Sequence, residues 1–345
     1  MKAETLLPLG KLDPGLRAPD VPLNLLRVAA EARVVDQVGY HGLLMEETKD
    51  DPFQVLALAA QATETVHVGT SVAIAFARSP FVIAQAAWTA QKISQGRFEL
   101  GLGSQVRGHI RRRFGLEWHA PGPWMRDYVG AVRSIWRAWQ TRSPIEFESE
   151  RYNLNLNVPL FTPAPIEHPD IPIQIAAVNP YMARVAAEVA DGVRLHPVCS
   201  PAYIDQVINP QVATIASPDF EVCLKPLIAT GRDSDTLHQR TEIARQRLAF
   251  YISTPAYAPA FSIFGLEDLC AEMALLSKTQ AWDKMTALVD DDLLHRCVVV
   301  ALYDELADTI HHRYADLIQR IEVSIPVEGE QDRQQLRDIV SRLAG

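Results

Sequence analysis

The chain has 345 residues, of which 48% are hydrophobic and 22% are charged, and its formal net charge is −9 at pH 7. This composition is typical of a folded protein with a large buried core, and the negative charge argues against a protein that coats nucleic acid or an acidic membrane surface. The N-terminal residues lack the apolar stretch of a signal peptide and no apolar run is long enough to span a bilayer, so we expect a cytoplasmic protein.

Short apolar runs alternate with longer amphipathic segments along the chain, and this alternation predicts β–α units around a parallel sheet. Two helix starts are marked by Asp51-Pro52 and Ser79-Pro80, each a capping side chain followed by a proline, and Gly39 marks a helix end. We predict eight strands, at residues 3–7, 41–45, 66–74, 97–103, 171–178, 193–197, 220–230 and 320–326. We predict helices at residues 23–38, 51–63, 79–94, 122–140, 179–192, 201–216, 233–252, 304–318 and 332–345.

Two insertions lengthen this pattern, at about residues 104–170 and 254–300. The first contains helix 122–140, whose stripe of large apolar residues we interpret as a packing face, and then a small β-hairpin near residues 145–155. The second is expected to be irregular or helical. Eight strands separated by helices predict one (β/α)8 barrel domain over residues 1–345 rather than an open doubly wound sheet.

The stretch GRFELGLGSQVRGHIRRRFG, residues 96–115, places two glycines at a strand end in front of a basic cluster. A dinucleotide-binding fingerprint would need a third glycine where Val106 stands, and it would follow the first strand rather than the fourth. No motif of a P-loop, a zinc protease or a serine hydrolase is present. The four cysteines are far apart, so we predict neither a metal site nor a disulfide framework.

In a (β/α)8 barrel the active site lies at the carboxyl ends of the strands, and the residues at those positions are therefore the candidates for function. The candidates are Glu46, Glu47, Thr48, Ser71, Val72, Gly103, Ser104, Ala177, Val178, Asn179 and His196. Several of these residues are small, which lets a flat ring or a phosphate approach the backbone.

Around these positions the sequence resembles a known family. The strings GTSVAIAFARSPFVIAQAAWTAQKISQGRFELGLGSQ and IQIAAVNPYMARVAAEVADGVRLH are similar to the bacterial luciferase-like flavin and deazaflavin oxidoreductases, and more closely to their coenzyme F420-dependent branch. The resemblance extends from about residue 25 to residue 326. It implies a (β/α)8 barrel that uses either reduced FMN with oxygen or coenzyme F420 for hydride transfer.

The resemblance also implies roles for particular residues. It predicts a non-proline cis peptide bond at Ser71-Val72, behind the cofactor ring, and contacts to the cofactor tail and phosphate from Gly103 and Ser104 and from Ala177, Val178 and Asn179. Asn179 is also expected to cap a helix whose N-terminal N–H groups suit an anion. Relatives often have glycine at this position, and Pro180 supplies no N–H, so the phosphate site is expected to be narrower here.

The basic cluster, Arg107, His109, Arg111, Arg112 and Arg113, has three interpretations. It is either a solvated helix face paired with acids such as Glu117, or a contact for the cofactor tail made chiefly by Arg107 and His109, or, least favoured, a nucleic-acid contact. Coenzyme F420 carries a phosphodiester and an oligoglutamate tail, whose oxygens suit arginine side chains.

Glu47 and His196 are the candidate catalytic residues for proton transfer, although a lone histidine is more often structural. Val106 stands where some deazaflavin dehydrogenases have a glutamate, which argues against a sugar-phosphate dehydrogenase. Thr48, Phe76, Tyr251 and Tyr257 are predicted to line the substrate pocket, with core packing as the alternative for the tyrosines.

From these observations we expect an F420-dependent oxidoreductase that transfers a hydride to or from a small organic substrate. The alternatives are an FMN-dependent monooxygenase of the same fold, and a barrel without catalysis that serves as a binding or partner subunit. The resemblance further suggests a homodimer.

Overall fold

The computed structural model describes residues 1–11 and 22–345. The strands are β1 Lys2–Leu6, β2 Gly42–Met45, β3 His67–Thr70, β4 Ala73–Ile74, β5 Phe98–Gly103, β6 Phe147–Glu148, β7 Asn153–Leu154, β8 Ile173–Ala177, β9 Gly192–Leu195, β10 Glu221–Leu224, β11 Leu227–Gly231, β12 Val298–Leu302 and β13 Arg320–Glu322. The helices are α1 Val28–Val38, α2 Pro52–Gln61, α3 Pro80–Ile93, α4 Arg107–Arg112, α5 Pro121–Thr141, α6 Pro180–Val189, α7 Pro201–Tyr203, α8 Asn209–Val212, α9 Ser234–Ile252, α10 Glu267–Lys278, α11 Trp282–Ala287, α12 Asp291–Cys297, α13 Leu306–Tyr314 and α14 Glu330–Ala344. No helix within these residues has the length and apolar character needed to cross a membrane.

The main sheet is a closed parallel barrel, as predicted. Its order is β3-β2-β1-β13-β10-β9-β8-β5-β4, and β3 also pairs with β5, which closes the ring. The first and last strands lie side by side, with Lys2 opposite Arg320. Since β3 and β4 follow one another along the same edge of β5, they occupy one position, and the barrel has eight. The (β/α)8 fold is confirmed.

The third barrel strand is interrupted where the resemblance predicted an unusual peptide bond. Ser71-Val72, between β3 and β4, is cis. At this interruption, hydrogen bonds of the Thr70 side chain replace the backbone hydrogen bonds between the strands. The Thr70 hydroxyl donates to the carbonyl of Gly101 at 2.6 Å and accepts from the Gly101 N–H at 2.9 Å. Strand pairing therefore continues across the break through one threonine side chain.

The prediction of a single seventh strand at residues 220–230 was wrong. The barrel strand β10 ends at Leu224, and β11 leaves the barrel to pair in parallel with β12 in a separate two-stranded sheet. Pro226 lies between the two strands and has no N–H with which to continue a ladder. The second insertion was also predicted incompletely: it is helical through α12, but its last residues form β12.

Helices α2 and α3 begin where the sequence predicted. Asp51 accepts from the N–H groups of Phe53 and Gln54, and Ser79 accepts from the N–H of Val82, each just before a proline at the first helical position. Gly39 ends α1 in the left-handed conformation, at φ 95°. The aromatic stripe of α5 is buried, as expected of a packing face. The predicted hairpin is present as the antiparallel pair β6–β7.

The barrel interior contains a layer of paired charges below the site. Arg194 donates to both oxygens of Glu4, at 2.9 and 3.1 Å. Arg320 donates to Glu4 at 3.0 Å, to Glu99 at 2.6 Å and also contacts Glu221. Because buried charges are costly unless paired, these residues act as one network that fills the lower part of the barrel.

Candidate functional site

A cavity of about 490 Å³ opens at the carboxyl ends of the barrel strands. It lies where active sites of this architecture are found, and most residues predicted from strand ends line it. The predicted residues in its wall are Glu46, Glu47, Thr48, Ser71, Val72, Gly103, Ser104, Ala177, Val178, Asn179, His196, Tyr251 and Tyr257. The structure thus brings together residues from six separate regions of the chain.

Val72 and Gly103 form one closely packed part of the wall. A Cβ atom on Gly103 would lie 2.6 Å from Cγ2 of Val72, a contact too short for real atoms. A Cβ atom on Gly101, two residues earlier, would overlap the carbonyl oxygen of Thr70. Both glycines are therefore required by the close approach of β5 to the third strand, in addition to any access that they give to a ligand.

Glu47 lines the cavity, but its carboxylate is already engaged. One oxygen accepts from the N–H of Ile74 at 2.7 Å and from Arg78 at 2.6 Å, and Arg78 also contacts Asp51 at 3.0 Å. A carboxylate held by two donors fixes the position of β4. This arrangement favours a positioning role for Glu47 over the predicted role in proton transfer.

His196, at the end of β9, is held in one tautomer and is neutral. The N–H of Val198 donates to its Nδ1 at 3.3 Å, so the ring carries its proton on Nε2. Burial, helped by the ammonium of Lys225, lowers the pKa of His196 to about 4. Nε2 has no hydrogen-bond partner among the residues that the structure describes. At neutral pH His196 therefore offers an N–H donor to the cavity and does not act as a cationic acid.

Two tyrosines complete the wall around His196. The His196 ring centroid lies 4.4 Å from that of Tyr257 and 5.0 Å from that of Tyr251. Both tyrosines line the cavity and also pack on the histidine, so both predicted alternatives, pocket wall and packing, apply to them. The aromatic rings provide a flat apolar surface beside the single N–H donor.

Phe76 lies elsewhere than predicted. Its side chain is 4% exposed and stacks on Trp124, with ring centroids 3.8 Å apart, so it belongs to the packing of α5. It does not belong to the cavity wall as described.

The N-terminus of α6 offers few free donors, as expected from Asn179 and Pro180 in the sequence. Asn179 caps the helix, as predicted, by accepting from the N–H of Met182 at 2.9 Å. Pro180 at the first position has no N–H. Of the first three helical residues, Tyr181 alone therefore keeps an N–H without a partner in the described part of the chain.

The basic cluster forms the exposed helix α4 and the residue after it, next to the rim of the cavity. Gln105 and Val106, which precede the helix, line the cavity, and Arg113 donates to the carbonyl of Thr48 at 3.3 Å. Arg107 and His109 are exposed and do not reach the cavity wall. Glu117 pairs with His119 at 3.8 Å, and within residues 1–11 and 22–345 none of the four arginines forms an ion pair.

A comparison with family models decides which family this architecture represents: the luciferase-like monooxygenase model matches residues 9–320. The chain belongs to the luciferase-like monooxygenase family. It is 37% identical over 307 residues to an uncharacterised protein of Mycobacterium tuberculosis, covering 87% of this chain and 90% of the relative. It is 27% identical over 276 residues, 74% of this chain and 78% of the relative, to a putative coenzyme F420-dependent oxidoreductase of the same organism.

Solved structures support the same fold. The coenzyme F420-dependent tetrahydromethanopterin reductase from Methanopyrus kandleri superposes with a TM-score of 0.74 at 18% identity, over 99% of this chain and 98% of that chain. The EDTA monooxygenase from Chelativorans sp. BNC1 gives a TM-score of 0.74 at 12% identity, over 100% and 93% of the two chains. At these identities the likeness extends to the fold alone.

This luciferase-like protein also has a site residue that sequence reasoning missed, Lys225, which engages the predicted residue Glu46. Lys225 and Glu46 line the cavity and pair at 2.9 Å, and Glu46 also pairs with Lys11 at 2.9 Å. Burial opposes ionisation of Glu46, but the two ammonium groups outweigh it and lower its pKa to about 2. Lys225 directly follows β10, and it would have been a candidate had Pro226 been used to end that strand.

Proposed function

We propose that this protein is an oxidoreductase that uses coenzyme F420 for hydride transfer to or from a small organic substrate. The observation that carries this proposal is the basic cluster beside the cavity rim. Four arginines without an acidic partner in the described residues are well suited to a ligand that carries several negative charges outside the cavity. The F420 tail, a phosphodiester with an oligoglutamate chain, has this character, whereas FMN carries a single phosphate.

The cavity wall fits the ring of such a cofactor. Ser71, Val72 and Gly103 would lie against the ring. Ser104 and the N–H of Tyr181 would contact the tail next to the rim, with Arg107 and Arg111 further out. When bound, the deazaflavin supplies the hydride-transfer chemistry.

The protein then contributes orientation and a hydrogen bond. His196 would donate from Nε2 to an acceptor atom of the substrate, such as a carbonyl or alcohol oxygen, while Tyr251 and Tyr257 pack against its apolar part and exclude water. Glu47 would hold β4 in place behind the ring. This division assigns no proton transfer to His196 at neutral pH.

Titration of the purified protein with each cofactor, followed by fluorescence quenching, tests the choice of cofactor. We expect binding of F420 at micromolar concentration or tighter, and weaker binding of FMN. Tight binding of FMN alone would replace the proposal with an FMN-dependent monooxygenase. Binding of neither cofactor would instead indicate a non-catalytic barrel.

A double variant tests the role of the arginines. Arg107→Ala with Arg111→Ala should weaken binding of full-length F420 by about 10-fold or more, since each charge-assisted contact contributes about 1 kcal/mol or more. Binding of the deazaflavin ring without its tail should not change. The control is Arg33→Ala with Arg137→Ala, which removes two exposed arginines from the outer helices. Equal loss for the ring and the full coenzyme would refute the assignment.

A further inference from the structure

Two histidines and a glutamate meet at the opposite end of the barrel from the candidate site. His41 directly precedes β2, His67 begins β3 and Glu99 is the second residue of β5, so the three lie on neighbouring strands. Nδ1 of His67 is 3.2 Å from Oε1 of Glu99, and Nε2 of His41 is 4.0 Å from the same oxygen. All three ligand atoms lie within 4.8 Å of one another.

The two oxygens of Glu99 have separate neighbours. Oε2 accepts from Arg320 at 2.6 Å, whereas Oε1 faces the two histidine rings. Arg320 is held in place by Glu4 and Glu221 as well, so its position does not depend on Oε1. One carboxylate oxygen is therefore directed at two imidazole nitrogens while the other stays in the ionic network.

His41 has a buried nitrogen without a partner. Its Nε2 is shielded from solvent and makes no hydrogen bond within the described residues. A buried polar atom without a partner costs free energy, and such an atom in a native structure calls for an explanation.

We propose that His41, His67 and Glu99 form a binding site for one divalent transition-metal ion of the class of Zn²⁺, Co²⁺ and Ni²⁺. Two imidazole nitrogens and one carboxylate oxygen are a donor set that these ions prefer, and Mg²⁺ and Ca²⁺ prefer oxygen donors alone. Ligands of one tetrahedral zinc ion lie about 3.3 Å apart, given bonds of about 2.0–2.2 Å. The His67–Glu99 pair already has this spacing.

Small movements complete the site, and solvent reaches it. The histidine rings stack with centroids 4.7 Å apart and planes inclined by 25°, so one ring must turn for both nitrogens to point at one ion. His67 has the room to turn because its side chain is 37% exposed. His41 also lines an open depression with Lys2, Glu221 and His311, through which an ion and its remaining water ligands would enter. The site is distant from the cofactor proposal and does not depend on it.

Metal titration of the protein without an affinity tag, after treatment with a chelator, tests the site. We expect one Zn²⁺ per chain in competition with a chromophoric chelator, and a Co²⁺ spectrum typical of nitrogen and oxygen ligands in a four-coordinate site. His41→Ala and His67→Ala should each weaken binding at least 10-fold, and the double variant should abolish it. His238→Ala, which removes an exposed histidine on α9, is the matched control and should bind like the parent.

Thermal unfolding separates loss of binding from loss of folding. Zn²⁺ should raise the Tm of the parent and of His238→Ala but not that of the double variant, whose Tm without metal shows whether it is folded. Should the double variant fail to fold, His67→Gln alone should still lose the metal-dependent rise in Tm. The proposal is overturned if Zn²⁺ binds no better to the parent than to His41→Ala and His67→Ala, or if the Co²⁺ spectrum is that of the hydrated ion.

Discussion

At the scale of single residues, every ionised side chain that lines the cavity already has a partner of opposite charge. Glu46 pairs with Lys225, Glu47 with Arg78, and Arg194 with Glu4. A charged substrate would have to displace one of these pairs, at a cost of several kcal/mol for a buried one. The cavity is thus suited to an uncharged substrate, and under the proposed function the anionic groups of the cofactor would contact α4, outside it.

The low pKa of His196 makes the free energy of unfolding depend on pH. Its pKa is about 4 in the folded protein against 6.5 for the free side chain, so between these values the unfolded chain binds more protons. The free energy of unfolding should fall as pH decreases through this range, by about 2 kcal/mol between pH 7.5 and pH 5 for this residue.

Urea unfolding of His196→Gln at the two pH values measures this contribution. The variant should lose less stability on acidification than the parent, and His238→Gln, at an exposed position, should lose as much as the parent. Identical losses in the parent and in His196→Gln would show that His196 is not held neutral by the fold.

Glu47→Gln should reduce stability while keeping the shape of the side chain. The amide oxygen can still accept from the N–H of Ile74, but the charge that holds Arg78 is lost, so we expect a cost of about 1–3 kcal/mol. Asp51→Asn is the matched control, because it removes the more exposed partner of Arg78 and leaves an oxygen to cap α2. Chemical denaturation measures the stability of both variants. A larger loss of stability in Asp51→Asn than in Glu47→Gln would contradict this role of Glu47.

At the scale of elements, the third strand and β5 approach more closely than side chains allow. Gly101 lies opposite the Thr70 carbonyl, and Thr70 bonds both backbone groups of Gly101. Gly101→Ala should therefore cost about 3 kcal/mol, since its methyl group would collide with backbone that cannot move without breaking this contact. Gly329→Ala, at a position with open space around the new methyl group, should cost less than about 1 kcal/mol. Thermal unfolding of both variants measures the difference, and equal Tm values would contradict the packing described.

The same elements show what the sequence could predict. Strands and helices with strong local signals were found: the alternation of β5, the cap and proline of α2 and α3, and the stripe of α5. The second sheet was missed because β11 and β12 are far apart in the chain, and apolar residues alone do not reveal which strands pair. Pro226 was the one local signal of the break, since it cannot donate to a ladder.

In the candidate site, too, some features could be predicted from the sequence and others could not. The residues predicted at strand ends all lie in its wall, because the barrel architecture fixes where those ends meet. What each residue does depends on its partners in space: Arg78 engages Glu47, Val198 fixes the His196 tautomer, and Trp124 stacks on Phe76. None of these contacts follows from spacing along the chain, so the roles of Glu47 and His196 changed although both line the cavity, and Phe76 lies outside the wall.

At the scale of the whole molecule, the ionic network ties the first strand to the last. Arg320 on β13 contacts Glu4 on β1, Glu99 on β5 and Glu221 on β10, and its side chain is 5% exposed. Arg320→Met should cost about 3–5 kcal/mol, because it leaves buried carboxylates without their cation. Arg333→Met, at an exposed pair with Glu330, should cost less than about 1 kcal/mol. Urea unfolding tests the contrast, and similar costs for the two variants would show that the network does not support closure of the barrel.

The pairing of β11 with β12 has a consequence for how such proteins diversify. The helices from α9 to α12 connect β11 to β12, and these two strands pair in parallel outside the hydrogen-bonded ring of the barrel. Tyr251, at the end of α9, and Tyr257, just after this helix, reach the cavity wall. We therefore expect that exchange of this connecting segment can change the cavity wall while the eight-stranded barrel is kept intact.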